Sequence, residues 1–248
     1  MQADLEAAFA TLFKGLGLLG PGSTATRRRV LGLVEPDLPP APLVCDMGAG
    51  AGAASRLLAE ALPAGRILAL DRMPSFLRGL GATGPGRVMA VAADMAAAPF
   101  CAHSLDLVWC ESAIYTIGRT RALVLWRELL RPGGQIVFSD VVWLVPAAER
   151  PAEAAAFWSA AYPDMRTVDE IRTEIEAVGW QVRARYQAPS ADWAAYYAPL
   201  RPRLAELAPV AGPPLAGVIE EMRREIELFD AHGASYGVVF LVVHPAGA

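Results

Sequence analysis

Apolar positions along the chain change period several times, and the changes mark the elements. Residues 4–19 and 24–35 carry helical spacing and bracket Gly20-Pro21-Gly22-Ser23, with Ser23 placed to cap the second helix. The proline-rich stretch 36–42 ends helical structure. Short apolar runs then alternate with helical segments. Strands are expected at 43–47, 66–70, 87–91, 105–110 and 134–141, and helices at 53–62, 74–80 and 119–130. Strands separated by helices need crossover connections, so the pattern predicts a parallel sheet with helices on both faces.

The later half is less regular until Thr167-Val168-Asp169-Glu170, where threonine and a glutamate three residues on form a capping box. Ile171, Ile175 and Val178 make the apolar stripe of that helix, and Gly179 fits its end. A strand follows at 180–187. Residues 192–206 and 217–230 read as helices parted by the proline-rich 209–214, and Val238 to Val243 closes the chain as a β-rich run. Two last strands around a helical insertion predict a mixed sheet with a small helical cap.

Composition narrows the chemistry. The 248 residues, 54% apolar and 19% charged, are enough for one well-buried domain. A net charge of −4, with Arg27-Arg28-Arg29 as the one basic run, gives no footprint for nucleic acid. Of 22 basic residues only Lys14 is a lysine, and its neighbours Gly15 and Leu16 make no P-loop. It also serves neither as a Schiff-base lysine nor in a Tyr-x-x-x-Lys motif. Cys45, Cys101 and Cys110 lack C-x-x-C spacing and suit reduced thiols in a cytoplasmic protein. With three histidines at no recognisable spacing, no metal site is expected. Asp4 and Glu6 stand where a signal peptide would be basic. The uncharged stretch 231–248 contains two histidines, Ser235 and Pro245, and reads as a core strand with polar flanks, so no stable membrane insertion is expected.

Chemistry concentrates in Val44-Cys45-Asp46-Met47-Gly48-Ala49-Gly50-Ala51-Gly52, at a strand end before a helix, where ligands of open α/β sheets bind. The glycines let a ligand approach the backbone, and the helix start offers free N–H groups. Gly48, Gly50 and Ala53 also satisfy G-x-G-x-x-A, so the glycines alone do not separate a nicotinamide from an adenosyl cofactor. Asp46 favours the second, because a carboxylate there repels a pyrophosphate and suits an ammonium or sulfonium. Asp71 follows the buried run Ile67-Leu68-Ala69-Leu70 and is placed to accept two ribose hydroxyls. Asp94, next to Met95, follows the third strand and is placed near an adenine. Gly233-Ala234-Ser235-Tyr236-Gly237 with His244 matches G-x-S-x-G, but a helix precedes this serine and a strand follows, the reverse of a nucleophile elbow.

These residues resemble the class I S-adenosylmethionine-dependent methyltransferases, in the small-molecule, type 11 or quinone-methyltransferase-like group. The resemblance runs through Val44–Gly52, Leu70-Asp71-Arg72-Met73, Ala93-Asp94-Met95 with Pro99-Phe100, Leu105-Asp106-Leu107-Val108-Trp109 and Leu130-Arg131-Pro132-Gly133-Gly134. It covers about residues 42–141, and Tyr236 to Val243 resembles the family's last strand. Residues 142–230 match loosely, and nothing carries over a quinone substrate.

The resemblance implies a Rossmann-like seven-stranded mixed α/β sheet, ordered 3-2-1-4-5-7-6 with strand 7 antiparallel, in a single domain. Within it, 1–35 are N-terminal helices, 42–141 the cofactor core and 142–230 the substrate-side cap. Cys45 and Cys110 would be core neighbours. The implied cofactor is S-adenosyl-L-methionine, with S-adenosyl-L-homocysteine as product. Asp46 and the Gly48, Ala49, Gly50 and Gly52 backbone would meet its methionine part, Asp71 the ribose, and Asp94 with Met95 the adenine, with Arg72 and Met73 also among the cofactor-binding residues. Gly20 to Ser23 would close over it. Glu111 would bind the cofactor's ammonium or take a proton from the acceptor, and Tyr115 would bond the acceptor. Trp143, Trp158, Tyr162, Trp193, Tyr196 and Tyr197 would wall an apolar or aromatic small-molecule acceptor or cement the cap to the sheet. His103, in the loop before strand 4, reads as a surface residue. The alternatives are an NAD(P)-dependent oxidoreductase and a catalytically silent S-adenosylmethionine-binding protein; a homodimer is compatible with either.

Overall fold

The computed structural model describes residues 2–80 and 86–247, so residues 1 and 248, the outer ends of the expected 1–35 and 231–248 segments, lie outside it. The strands are β1 (Leu43–Met47), β2 (Arg66–Asp71), β3 (Val88–Ala92), β4 (Leu105–Cys110), β5 (Leu130–Trp143), β6 (Arg166–Thr167), β7 (Trp180–Gln187) and β8 (Tyr236–Pro245). The α-helices are α1 (Gln2–Leu12), α2 (Thr24–Leu31), α3 (Ala53–Ala61), α4 (Pro74–Leu77), α5 (Arg119–Arg127), α6 (Ala152–Ala161), α7 (Val168–Ala177), α8 (Ser190–Leu207) and α9 (Pro213–His232).

One sheet runs β3-β2-β1-β4-β5-β8-β7, with β8 antiparallel to both neighbours. The two-residue β6 pairs parallel with the end of β5. With β6 set aside, this is the expected order 3-2-1-4-5-7-6. The apolar run of β4 is buried at every position, as a central strand covered on both faces requires. The edge strand β7 alternates, with its outward residues exposed. Cys45 and Cys110, on adjacent strands, are buried free thiols in one apolar cluster with Val108, Phe138 and Trp180.

Ser23 caps α2 by accepting the Thr26 N–H, and Thr167 with Glu170 forms the capping box of α7. Several boundaries differ from the sequence pattern. The first helix stops at Leu12 rather than 19, because Gly15 takes a left-handed φ of +80° and Gly17 follows two residues on. Residues 13–23 instead form a strap whose Leu16, Leu18 and Leu19 are half-buried against the core. The fifth strand begins at Leu130, paired with Leu105, and its ladder shifts around Pro132-Gly133 before Gln135 joins Leu107. Helix α6 was not legible: of its alanine-rich residues only Ala154 and Trp158 are buried, too few for an apolar stripe. Helices α1, α6 and α8 all pack on α9, forming the cap. Among the described residues no helix is long and apolar enough to cross a membrane.

Candidate active site

The carboxyl ends of β1, β2, β4 and β5 gather the polar side chains. Gly48, Gly50 and Gly52 follow β1 with φ of +78°, +52° and +78°, a backbone path closed to most side chains. The Gly48 and Ala49 N–H groups both donate to the Leu70 carbonyl, at 2.8 and 2.9 Å, which ties the loop to β2. Asp71 secures the next step. Its Oδ2 accepts the Gly50 N–H and its Oδ1 the Met73 N–H, each at 2.8 Å.

Asp46 is 1% exposed and accepts the Ser55 hydroxyl at 2.5 Å. Burial pushes its carboxyl up to about 7; the Ser55 hydrogen bond opposes the rise, the Glu111 charge adds to it and Arg27 opposes it. Glu111 directly follows β4. Arg27 grips it at both oxygens, Nε to Oε2 at 2.8 Å and Nη2 to Oε1 at 2.6 Å. The two side chains are 6% and 9% exposed, so this is a buried bidentate pair joining residues 84 apart.

The turn after β4 is crowded by backbone from two other segments. A Cβ on Gly20 would lie 2.6 Å from the Ser112 side chain, one on Gly22 2.3 Å from Glu111 Oε1, and one on Gly48 2.5 Å from Ala113 Cβ. Ser112 itself holds a left-handed φ of +53° and donates its N–H to Ser139 Oγ at 2.8 Å. Leu19 of the strap reaches the glycine loop, 2.6 Å from where a Gly50 Cβ would stand. Of the Gly20 to Ser23 segment expected to close over a cofactor, Gly20 and Gly22 lie against the turn after β4, while Ser23 caps α2.

Other expected residues sit further out. Asp94 is exposed and caps the short 3-10 turn Met95–Ala97 through the Ala96 N–H, at 2.8 Å. Met95 is half-buried, and its carbonyl accepts the Trp126 indole N–H. Arg72 turns to Glu6 of α1, at 2.8 Å, instead of toward the glycine loop. Met73 lines a cleft of about 450 Å³ between α1 and the β2 end, with Glu6, Ala10 and Arg78. His103 is exposed. Ser235 donates its hydroxyl to the His232 carbonyl in the turn from α9 into β8, with no elbow around it.

The aromatic residues divide. Trp143, Trp158, Trp193, Tyr196 and Tyr197 are at most 6% exposed and pack edge-on or tilted with Tyr236 and Phe229 between the sheet and cap. As placed, they fill the interface between cap and sheet, and Trp193 also lines a cavity there. Tyr162 is half-buried, and Tyr115, 51% exposed, lies 5.6 Å from its ring. The Tyr162 hydroxyl donates to Asp140 at 3.0 Å. Arg119 joins them, bonding Asp140 at 2.9 Å, Glu174 at 2.8 Å and the Tyr162 oxygen. Burial pushes Asp140 up to about 6 against the pull of Arg119.

Arg27, Ser55, Arg119 and Asp140 were missed by sequence reasoning. A signal existed for two. Arg27 shares the buried face of α2 with Val30 and Leu31, a lone charge on an apolar stripe, and Asp140 interrupts an apolar strand. Both patterns call for a buried partner.

Comparison with known proteins agrees with this architecture. Residues 44–134 match the family model described as a methyltransferase domain. This part of the chain is similar to the methyltransferase-domain family. The whole chain is similar to a SAM-dependent methyltransferase from Geobacter sulfurreducens crystallised with S-adenosyl-L-homocysteine, with a TM-score of 0.79 over 96% of this chain and 98% of that one. At 18% identity this likeness establishes the fold. In sequence the chain is 38% identical over 104 residues to a malonyl-[acyl-carrier protein] O-methyltransferase of Methylococcus capsulatus, covering 41% of this chain and 38% of that protein. It is 33% identical over 127 residues to a dimethylglycine N-methyltransferase of Parasynechococcus marenigrum, covering 49% and 45%. The chain thus spans less than half the length of the curated relatives it matches.

Proposed function

We propose that this protein is a methyltransferase that uses S-adenosylmethionine and acts on a small acceptor. The observation that carries it is the set of acids, Asp46, Asp71 and Asp94, at three successive strand ends, with Asp71 bonded to a loop of left-handed glycines. The donor chemistry fits. The cofactor's ammonium and ribose hydroxyls donate hydrogen bonds, and ionised carboxylates accept only. Each Asp71 oxygen accepts one backbone N–H and keeps a lone pair for a hydroxyl. Asp46 lies beside the Glu111 charge, so a cation is the guest that stabilises its ionised form.

The bound cofactor would supply a methyl group activated by its sulfonium, transferred by in-line displacement without a metal. The chain's own part is positioning, for which well-aligned reactants gain roughly 7–11 kcal/mol. Arg27 pairs with both oxygens of Glu111 and so fixes the turn after β4, and each oxygen keeps a lone pair for the cofactor's ammonium. Tyr115 and Tyr162, with rings 5.6 Å apart, are an aromatic pair suited to an acceptor's apolar part. The two relatives are named for transfer to oxygen in one case and nitrogen in the other, which supports methyl transfer and leaves the acceptor to be read from this chain.

Calorimetry on the full chain with S-adenosylmethionine, S-adenosylhomocysteine and NAD tests the proposal. Binding of the first two is expected; tighter binding of NAD overturns it in favour of an oxidoreductase. Release of S-adenosylhomocysteine across phenol, amine and carboxylate acceptors is the second readout. Cofactor binding without turnover on any of them would favour the silent binding protein.

A further inference from the structure

A second cavity, of about 310 Å³, opens at the same sheet edge beyond β5. Its floor is made by Asp192, Trp193, Phe229 and Tyr236, and Gln187 and Ser190 are exposed at its mouth. Three features bear on what it holds. Asp192 is the only formally charged residue in the lining, is 7% exposed, and its buried Oδ2 has no hydrogen-bond partner. Trp193, 3% exposed, likewise leaves its indole N–H unpartnered. The Trp193 ring lies 5.3 Å from Phe229 and 5.5 Å from Tyr236, so three mutually packed aromatic rings share the lining with one carboxylate.

A buried carboxylate with an open oxygen is costly until a donor or a cation reaches it. Aromatic faces add attraction for a cation and none for an anion. The free indole N–H asks for an acceptor oxygen on the same guest. A carboxylate guest would meet Asp192 as a like charge. The cavity also adjoins the candidate active site through Pro21, which stands between Gly20, packed on Ser112, and Gly22, packed on Glu111.

We propose that this cavity holds the cationic head of the acceptor, a small protonated or methylated amine that also carries a hydroxyl or carbonyl oxygen. The acceptor role rests on the transferase reading above; amine binding by the cavity does not. Choline and its uncharged isostere 3,3-dimethyl-1-butanol, titrated into the full chain by calorimetry, test the site. Choline is expected to bind about tenfold or more tightly than the isostere. Asp192→Asn should remove that preference while S-adenosylhomocysteine affinity stays within about twofold. Equal affinity of the two probes for the native chain overturns the proposal, and this comparison decides even if the variant does not fold. Preference for choline without any S-adenosylhomocysteine binding would overturn the acceptor role and the transferase reading, and keep the amine site.

Discussion

Replacing Arg27 by methionine is the sharpest test of how the site is held. The change removes a guanidinium that makes two hydrogen bonds, at 2.8 and 2.6 Å, to a carboxylate whose side chain is 9% exposed. Methionine fills much of the volume, so the loss is mainly electrostatic. Breaking one partner of a buried pair costs about 3–5 kcal/mol, because the survivor stays charged and desolvated. That is a large part of the roughly 5–15 kcal/mol that holds a typical domain. Urea titration at pH 7.5, followed by far-ultraviolet dichroism, measures it. Glu111→Gln alone should cost a similar amount by stranding Arg27. The double variant, with neither charge, should recover most of the loss, giving a coupling of about 2 kcal/mol or more. A loss below about 0.5 kcal/mol in Arg27→Met would refute the reasoning, since it would mean that Glu111 is solvated as at a surface site.

Three further outcomes follow from the same geometry. Asp46 keeps its proton up to about pH 7 folded, against 3.8 for an ordinary aspartate. The folded chain therefore binds more protons than the unfolded one between these values, and stability should fall as pH rises from about 4 to about 7, at up to about 1.4 kcal/mol per unit. Asp46→Asn should flatten that slope in melts across this range; an unchanged slope would place its cause elsewhere. Asp71→Ala removes the carboxylate from the Gly50 and Met73 N–H groups and should weaken S-adenosylhomocysteine binding by about 1–3 kcal/mol, read by calorimetry. Unchanged affinity with an intact fold would take Asp71 out of the site. Gly48→Ala, at φ +78° and with its new Cβ 2.5 Å from Ala113, should cost about 1–2 kcal/mol from backbone strain alone in urea titration, and more from the contact. Native-like stability would show that the turn after β4 yields freely.

What the sequence made legible was mostly local. Alternating apolar runs and helices marked the strands, and an acid at the carboxyl end of each of β1, β2 and β3 marked the candidate site, because both depend on residues near one another in the chain. The capping box at Thr167 and the glycine at 179 were readable for the same reason. The strap was misread as helix because Leu12, Leu16 and Leu19 keep helical spacing even where Gly15 and Gly17 break the backbone. Pairs joined across the fold were not readable. Arg27 reaches Glu111 across 84 positions and Arg119 reaches Glu174 across 55, and no spacing rule connects them. The aromatic residues after β5 showed the reverse problem: their number pointed to a binding wall, but a cap of alanine-rich helices needs large rings to fill its interface with the sheet.

The strap 13–23 separates the consequences of these perturbations. Leu19 packs over Gly50 in the glycine loop, while Pro21 walls the amine cavity, and the Arg27 to Glu111 pair anchors the helix that follows. Loosening that anchor acts on both neighbours at once. Arg27→Met should therefore weaken S-adenosylhomocysteine and choline together, whereas Asp71→Ala should affect the first and Asp192→Asn the second. The pattern follows from which side chains touch which cavity, so it holds whatever the absolute affinities are. If Arg27→Met folded and changed one ligand alone, the strap would not be a shared wall, and the two cavities would have to be treated as independent sites.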